Sequence, residues 1–162
     1  MSFIECIREK FGNSEIKHCK EKGCNLNFKN IRNHIILKGE KICRNRKICD
    51  CIIFIERNGK IIVVIVELKS RTVHVNKVIQ KLQNALQVAS EILNSCNSGN
   101  YKVEFILTIL AKKWNSMESR EYVLLIKKWK AICGDKKNCQ ISRGSCGTPL
   151  NQILNNPKSP KI

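Results

Sequence analysis

The chain has 162 residues, with 30 Lys and Arg against 13 Asp and Glu, a formal net charge of +17, ten cysteines and three prolines. A length of this order fits one domain that can bury a core without covalent staples, and no stretch approaches the ~20 apolar residues of a membrane helix. So large a basic excess points to an anionic partner, and to nucleic acid before others, because phosphate contacts need Lys and Arg. The opening Met1-Ser2-Phe3-Ile4-Glu5 lacks the basic-then-apolar pattern of a secretory leader, so the expected location is cytoplasmic.

Residues 2–11 are predicted helical, with Phe3, Ile4, Ile7 and Phe11 on one side. Residues 12–30 are polar and basic and read as mostly loop. A short helix or strand over 31–38 leads into a basic connection, 39–47. Residues 50–57 and 60–69 are rich in Ile and Val and read as strands. The Asn58-Gly59 between them is a strong two-residue hairpin signal, since both turn positions favour positive φ. Residues 75–95 form an amphipathic helix, with Val75, Val78, Ile79, Leu82, Leu86, Ala89 and Leu93 at three- and four-residue steps. Asn97 to Asn100 break the chain, 101–111 read as a third strand, 118–130 as helix and 138–144 as a last strand. This organisation is one α/β domain over 1–154, followed by a basic tail over 155–162.

The cysteines are loosely spaced: Cys19 and Cys24, then Cys43, Cys49 and Cys51, then Cys133, Cys139 and Cys146, with no Cys-x-x-Cys pair. Three readings stay open. They are buried free thiols acting as small hydrophobes, disulfides of the kind known inside hyperthermophiles, or a zinc or iron–sulfur site whose spacing departs from the usual ligand patterns.

The hairpin places chemistry at its open end. A two-residue turn at 58–59 sets Arg57 against Lys60 and Glu56 against Ile61, and counting outward brings Asp50 opposite Glu67. Directly opposed side chains have Cβ atoms ~5 Å apart, and Lys69, two residues past Glu67, projects from the same face. Two opposed carboxylates repel one another. A hard divalent cation, Mg²⁺ or Mn²⁺, offsets that repulsion when Asp50 and Glu67 bind it together with water and a phosphate, and Lys69 beside them holds the attacking water or the phosphate. The plain alternative is an aspartate ending a loop beside a solvated strand end.

Asp50, the hairpin, and then Glu67-Leu68-Lys69 resemble the motif of the PD-(D/E)XK nuclease superfamily, whose members share a core of helix, three-stranded meander, helix and strand. The resemblance covers residues 1–111, with Cys49 in place of the motif's proline, which many members lack. It implies a restriction-endonuclease-like core, a central mixed sheet of four to five strands with helices on both faces, and hydrolysis of phosphodiester bonds. It also implies that Asp50 and Glu67 are the metal-binding acids and Lys69 the catalytic lysine. Some members add a helix glutamate, for which Glu5, Glu9 and Glu15 are available. Others add a helix glutamine, for which Gln80, Gln83 and Gln87 are available and Gln83 is taken as the candidate. The lead-in from His34 to Asp50 is similar to that of small archaeal and bacterial proteins of this type, and the cysteine groups bear a weak likeness to iron–sulfur exonucleases of the superfamily.

Lys38, Arg46, Lys47, Arg71 and Arg143 are the candidate nucleic-acid contacts. The small, basic stretch 142–147 reads as a surface loop or a phosphate cradle, and Trp114 and Trp129 as core anchors or base-stacking rings. The expected function is a metal-dependent DNA endonuclease of weak sequence selectivity. Cutting two strands would favour a homodimer. The alternatives are an inactive nuclease-like nucleic-acid-binding protein and a structural subunit of a defence or viral complex.

Overall fold

Ser2 starts the first helix, α1 (Phe3–Phe11), through a capping box: its hydroxyl accepts from the Glu5 amide and the Glu5 carboxylate accepts from the Ser2 amide. Phe3, Ile4 and Ile7 make its buried side. The computed structural model describes residues 1–69, 75–96 and 98–155. Arg71 and residues 156–162 of the tail lie outside the described residues.

The segment read as loop over 12–30 carries a two-stranded ladder, β1 (Lys20–Glu21) with β2 (Cys24–Asn25). The ambiguous segment over 31–38 resolves as strand β3 (His34–Lys38), and a single helical turn, α2 (Gly39–Ile42), follows it. Next come β4 (Cys51–Arg57), β5 (Lys60–Lys69), the long helix α3 (Val75–Ser95) and β6 (Lys102–Ala111). The helix expected over 118–130 is two helices, α4 (Ser116–Lys127) and α5 (Trp129–Cys133). Strand β7 (Cys139–Ser145) takes in most of the stretch read as a surface loop, and a short C-terminal helix, α6 (Leu150–Asn155), had no reading from the sequence.

The sheet has five strands in the order β3-β4-β5-β6-β7. Asn58 and Gly59 both take positive φ, 52° and 75°, so the β4–β5 hairpin closes in the expected register from Arg57 opposite Lys60 to Cys51 opposite Val66. β3 and β4 pair antiparallel, whereas β5, β6 and β7 run parallel. Parallel neighbours need a long crossover, which α3 supplies after β5 and the α4–α5 segment after β6. β5 lies at the centre and is covered on both faces, so it reads as an unbroken apolar run rather than as an alternation.

The two faces are covered differently. One carries α1, α3, α4 and α5, packed on Ile35, Phe54, Val63, Ile65, Leu107 and Ile141. The other carries the small β1–β2 ladder, its flanking loops and α6, packed on Ile36, Ile53, Val64, Ile106 and Leu110. Helices on both faces therefore holds only through α6, because loop does most of the covering on the second side.

Eight cysteines pair, as Cys6–Cys96, Cys19–Cys51, Cys24–Cys146 and Cys133–Cys139. Cys43 and Cys49 remain free and buried. Of the three cysteine readings, disulfides describe most of the set and free thiols the remainder. Among the described residues no group of three or more His, Cys, Asp or Glu side chains stands together as a metal-ligand set, and no helix is long and apolar enough to cross a membrane.

Candidate metal centre

Asp50 stands one step past the last pair of the hairpin ladder. Its amide donates to the Val66 carbonyl at 3.1 Å, and its carbonyl accepts from the Gly39 amide at 2.9 Å. The carboxylate does not simply face Glu67. It reaches on along β5, where Oδ2 accepts from the Leu68 amide at 2.7 Å. A Cβ on Gly39 would overlap the Cys49 carbonyl oxygen, so this turn of α2 packs against the backbone that presents Asp50.

Glu67 points to the face shared with Ile61, Val63 and Ile65, the side covered by α3. It is 1% exposed. Burial, and then a hydrogen bond and repulsion from Asp50, push its carboxyl up to about 8. Glu67 thus keeps its proton to a higher pH than an exposed carboxyl does. Glu67 Oε2 is buried and, among the described residues, accepts no hydrogen bond of ordinary geometry.

Two ammonium groups face that oxygen. Lys69 Nζ is 4.0 Å away and Lys81 Nζ 3.3 Å away. Burial lowers the Lys69 pKa, and Lys81 lowers it further, more than Glu67 and Asp50 restore it. For Lys81 burial is again the largest influence, but the neighbouring Glu67 and Asp50 outweigh it and the pKa is raised. The free thiol of Cys49 is buried alongside and donates to the Cys51 carbonyl at 3.2 Å. Burial and the two carboxylates push it well up, which keeps it a thiol and unreactive.

Asp50, Glu67 and Lys69 therefore come together at one end of the sheet. Gln83 does not join them: it lies on the exposed side of α3, as do Gln80 and Gln87, and Gln87 accepts from Arg46 at 2.9 Å. The α3 residue that reaches the acids is Lys81, which had no reading from the sequence. A signal existed. Val78, Leu82, Ala85, Ala89 and Ile92 mark the side of α3 that meets the sheet, and Lys81 borders that stripe close to where the chain leaves β5.

Of the basic candidates, Lys38 follows Ile36 in strand alternation, which places it on the opposite face, and it pairs with Glu40 at 2.8 Å. Arg46 and Lys47 belong to the loop before Asp50, where the Asn84 side chain donates to the Lys47 carbonyl at 2.6 Å. Together with Lys41 and Arg44 they line an open cleft beside α2. Arg143 shares a row of the sheet with Glu67, since Glu67 pairs with Ile109 and Ile109 with Arg143. Two strand spacings make that about 10 Å. Its guanidinium lies 5.1 Å from the Trp114 ring centre and 4.9 Å from that of Tyr122.

His34 sits at the far end of β3, opposite Ile55, and stacks on Phe28. Glu5 is committed to the α1 cap and Glu15 to Arg8. Both tryptophans anchor β7: Trp114 donates to the Gly144 carbonyl and Trp129 to that of Cys139.

The structure defines an α/β protein with a five-stranded mixed sheet and an acid–lysine cluster at one sheet end. No family model, curated protein or solved structure matches the chain.

The cluster is a fair match for a divalent cation on chemical grounds. Two adjacent carboxylates at a sheet end, one with a buried oxygen that accepts no hydrogen bond among the described residues, are the type of donor pair that suits Mg²⁺ when water and phosphate complete its shell.

Proposed function

We propose that the chain is a divalent-cation-dependent nuclease with a restriction-endonuclease-like core, acting inside the cell on the phosphodiester bonds of DNA with little sequence selectivity. The observation that carries this reading is the buried Glu67 oxygen beside Asp50, which accepts no hydrogen bond among the described residues, with Lys69 on the same strand end. The order helix, three-stranded meander, helix, parallel strand supports it, as does the +17 charge.

On this reading Asp50 and Glu67 hold Mg²⁺ or Mn²⁺, which supplies charge neutralisation at the phosphate and acidifies water. Hydrolysis adds the oxygen of water to phosphorus, breaks one P–O ester bond and leaves a proton on the departing oxygen. Lys69 directs its ammonium at the phosphate or at the attacking water. Its lowered pKa suits it to exchange a proton with that water. Arg46, Lys47 and Arg143 hold flanking phosphates, and a homodimer would bring one site to each strand.

The test is cleavage of plasmid and oligonucleotide DNA with Mg²⁺ or Mn²⁺. Asp50→Ala, Glu67→Ala and Lys69→Ala should each abolish cutting and leave DNA binding largely intact. Wild-type cutting by all three variants would refute the assignment.

One observation favours a second reading, a nucleic-acid-binding protein whose nuclease-like core is inactive: the Lys81 ammonium already stands against the Glu67 oxygen that a cation would use. A wild-type protein that binds DNA but never cuts it would support that reading.

A further inference from the structure

Lys81 is an unusual residue to find at this point of α3. It adjoins Leu82 and lies within one turn of Val78 and Ala85, all fully buried. A lysine in such a place loses hydration and side-chain freedom, and β5 already provides the acids with Lys69. Yet Lys81 is the closer of the two to Glu67 Oε2, at 3.3 Å against 4.0 Å. Among the described residues that oxygen still accepts no well-directed hydrogen bond. The ammonium therefore answers the charge of the acid pair without being locked into a directional bond. Such a contact is readily exchanged for another cation.

We propose that Lys81 is a displaceable counter-ion: it offsets the negative charge of the Asp50–Glu67 pair while the metal site is empty, and a divalent cation must move it aside to bind. The inference rests on the reading that Asp50 and Glu67 bind a divalent cation, and it makes Lys81 a positioning residue. An ammonium and a metal ion compete for the same carboxylate oxygen, and each repels the other at this range. Once displaced, Lys81 keeps its charge at the rim of the site, where a phosphate would attract it. The chain is thus stable without metal, and its lysine turns toward substrate when metal arrives.

The experiment is direct Mn²⁺ binding by calorimetry, without nucleic acid and at fixed pH and ionic strength, on the full chain and on Lys81→Met, Lys81→Gln, Lys81→Arg and Glu67→Gln. Removing the competing charge should tighten Mn²⁺ binding by Lys81→Met and Lys81→Gln about tenfold or more. Lys81→Arg, which keeps the charge, should bind as the wild type does. Thermal melts in a chelator should show both neutral variants destabilised, with a larger upward shift on adding Mn²⁺ than the wild type shows.

If the wild type binds Mn²⁺ through Glu67 but the neutral variants bind it equally or more weakly, the counter-ion role is refuted while the metal site stands. If the wild type binds no Mn²⁺, or Glu67→Gln binds as well as wild type, both readings fall. If the neutral variants fold only with Mn²⁺, the proposal is supported, because the ion has taken over the charge of Lys81. If they fail to fold even with Mn²⁺, it is overturned, because Lys81 is then a fixed structural ion pair.

Discussion

The amide of Gly39 donates to the carbonyl of Asp50 at 2.9 Å, and α2 approaches so closely there that a side chain on Gly39 would overlap the Cys49 carbonyl oxygen. Asp50 is therefore clamped from two sides, by Gly39 on one and by Val66 of β5 on the other. The requirement at position 39 is for space and not for an unusual backbone angle. Gly39→Ala should destabilise the protein by about 1–3 kcal/mol, the usual cost of forcing atoms into a filled site. It should also weaken Mn²⁺ binding more than an alanine placed at Gly12, where a Cβ would meet no atom within 4 Å. Urea denaturation and calorimetry read the two effects separately.

The raised Glu67 carboxyl makes stability without metal depend on pH. Its value rises from 4.5 to about 8 in the folded chain, so between those limits the native state holds a proton that the unfolded chain has released. Stability is then fully present below about 4.5 and is lost as the pH rises through 8. Melting temperatures in a chelator should fall across that window, and Glu67→Gln should flatten the fall. A cation competes with the same proton, so Mn²⁺ affinity should rise with pH and level off above 8.

Arg143 is exposed, but Trp114 and Tyr122 hold its guanidinium in place along the row that leads to Glu67. A preordered arginine loses little freedom on meeting a phosphate. Arg143→Gln should weaken DNA binding about threefold to tenfold at moderate salt and reduce the slope of log affinity against log salt by about one. Lys38, already paired with Glu40 on the opposite face, should show a much smaller effect when changed to Gln. Fluorescence anisotropy over a salt series distinguishes the two.

The disulfides should differ in worth according to the chain they close. Cys24–Cys146 spans 122 residues and Cys133–Cys139 only 6. In the chain-entropy account the first contributes about 5 kcal/mol and the second about 2 kcal/mol. Replacing the first pair by alanine should therefore lower the urea midpoint roughly twice as far as replacing the second. Mass spectrometry of the unreduced chain should find four bridges and two free thiols, at Cys43 and Cys49.

The elements with a strict period were legible without coordinates. Asn58-Gly59 admits only a tight hairpin, so one dipeptide set the register of β4 on β5 and hence the closeness of Asp50 to Glu67. The apolar stripe of α3 was equally plain, because a long helix displays its buried side every three to four residues. What coordinates alone decided was which polar residues face inward at the ends of these elements. Gln83 and Lys81 are both polar residues of one helix, and only the packing of α3 on β5 brings Lys81 to the acids and leaves Gln83 in solvent. The cysteine pairs, such as Cys6 with Cys96, likewise join positions far apart in the chain, and no local pattern encodes such a distance. Local sequence constrains torsion angles and periodicity; contacts between distant side chains follow from how whole elements pack.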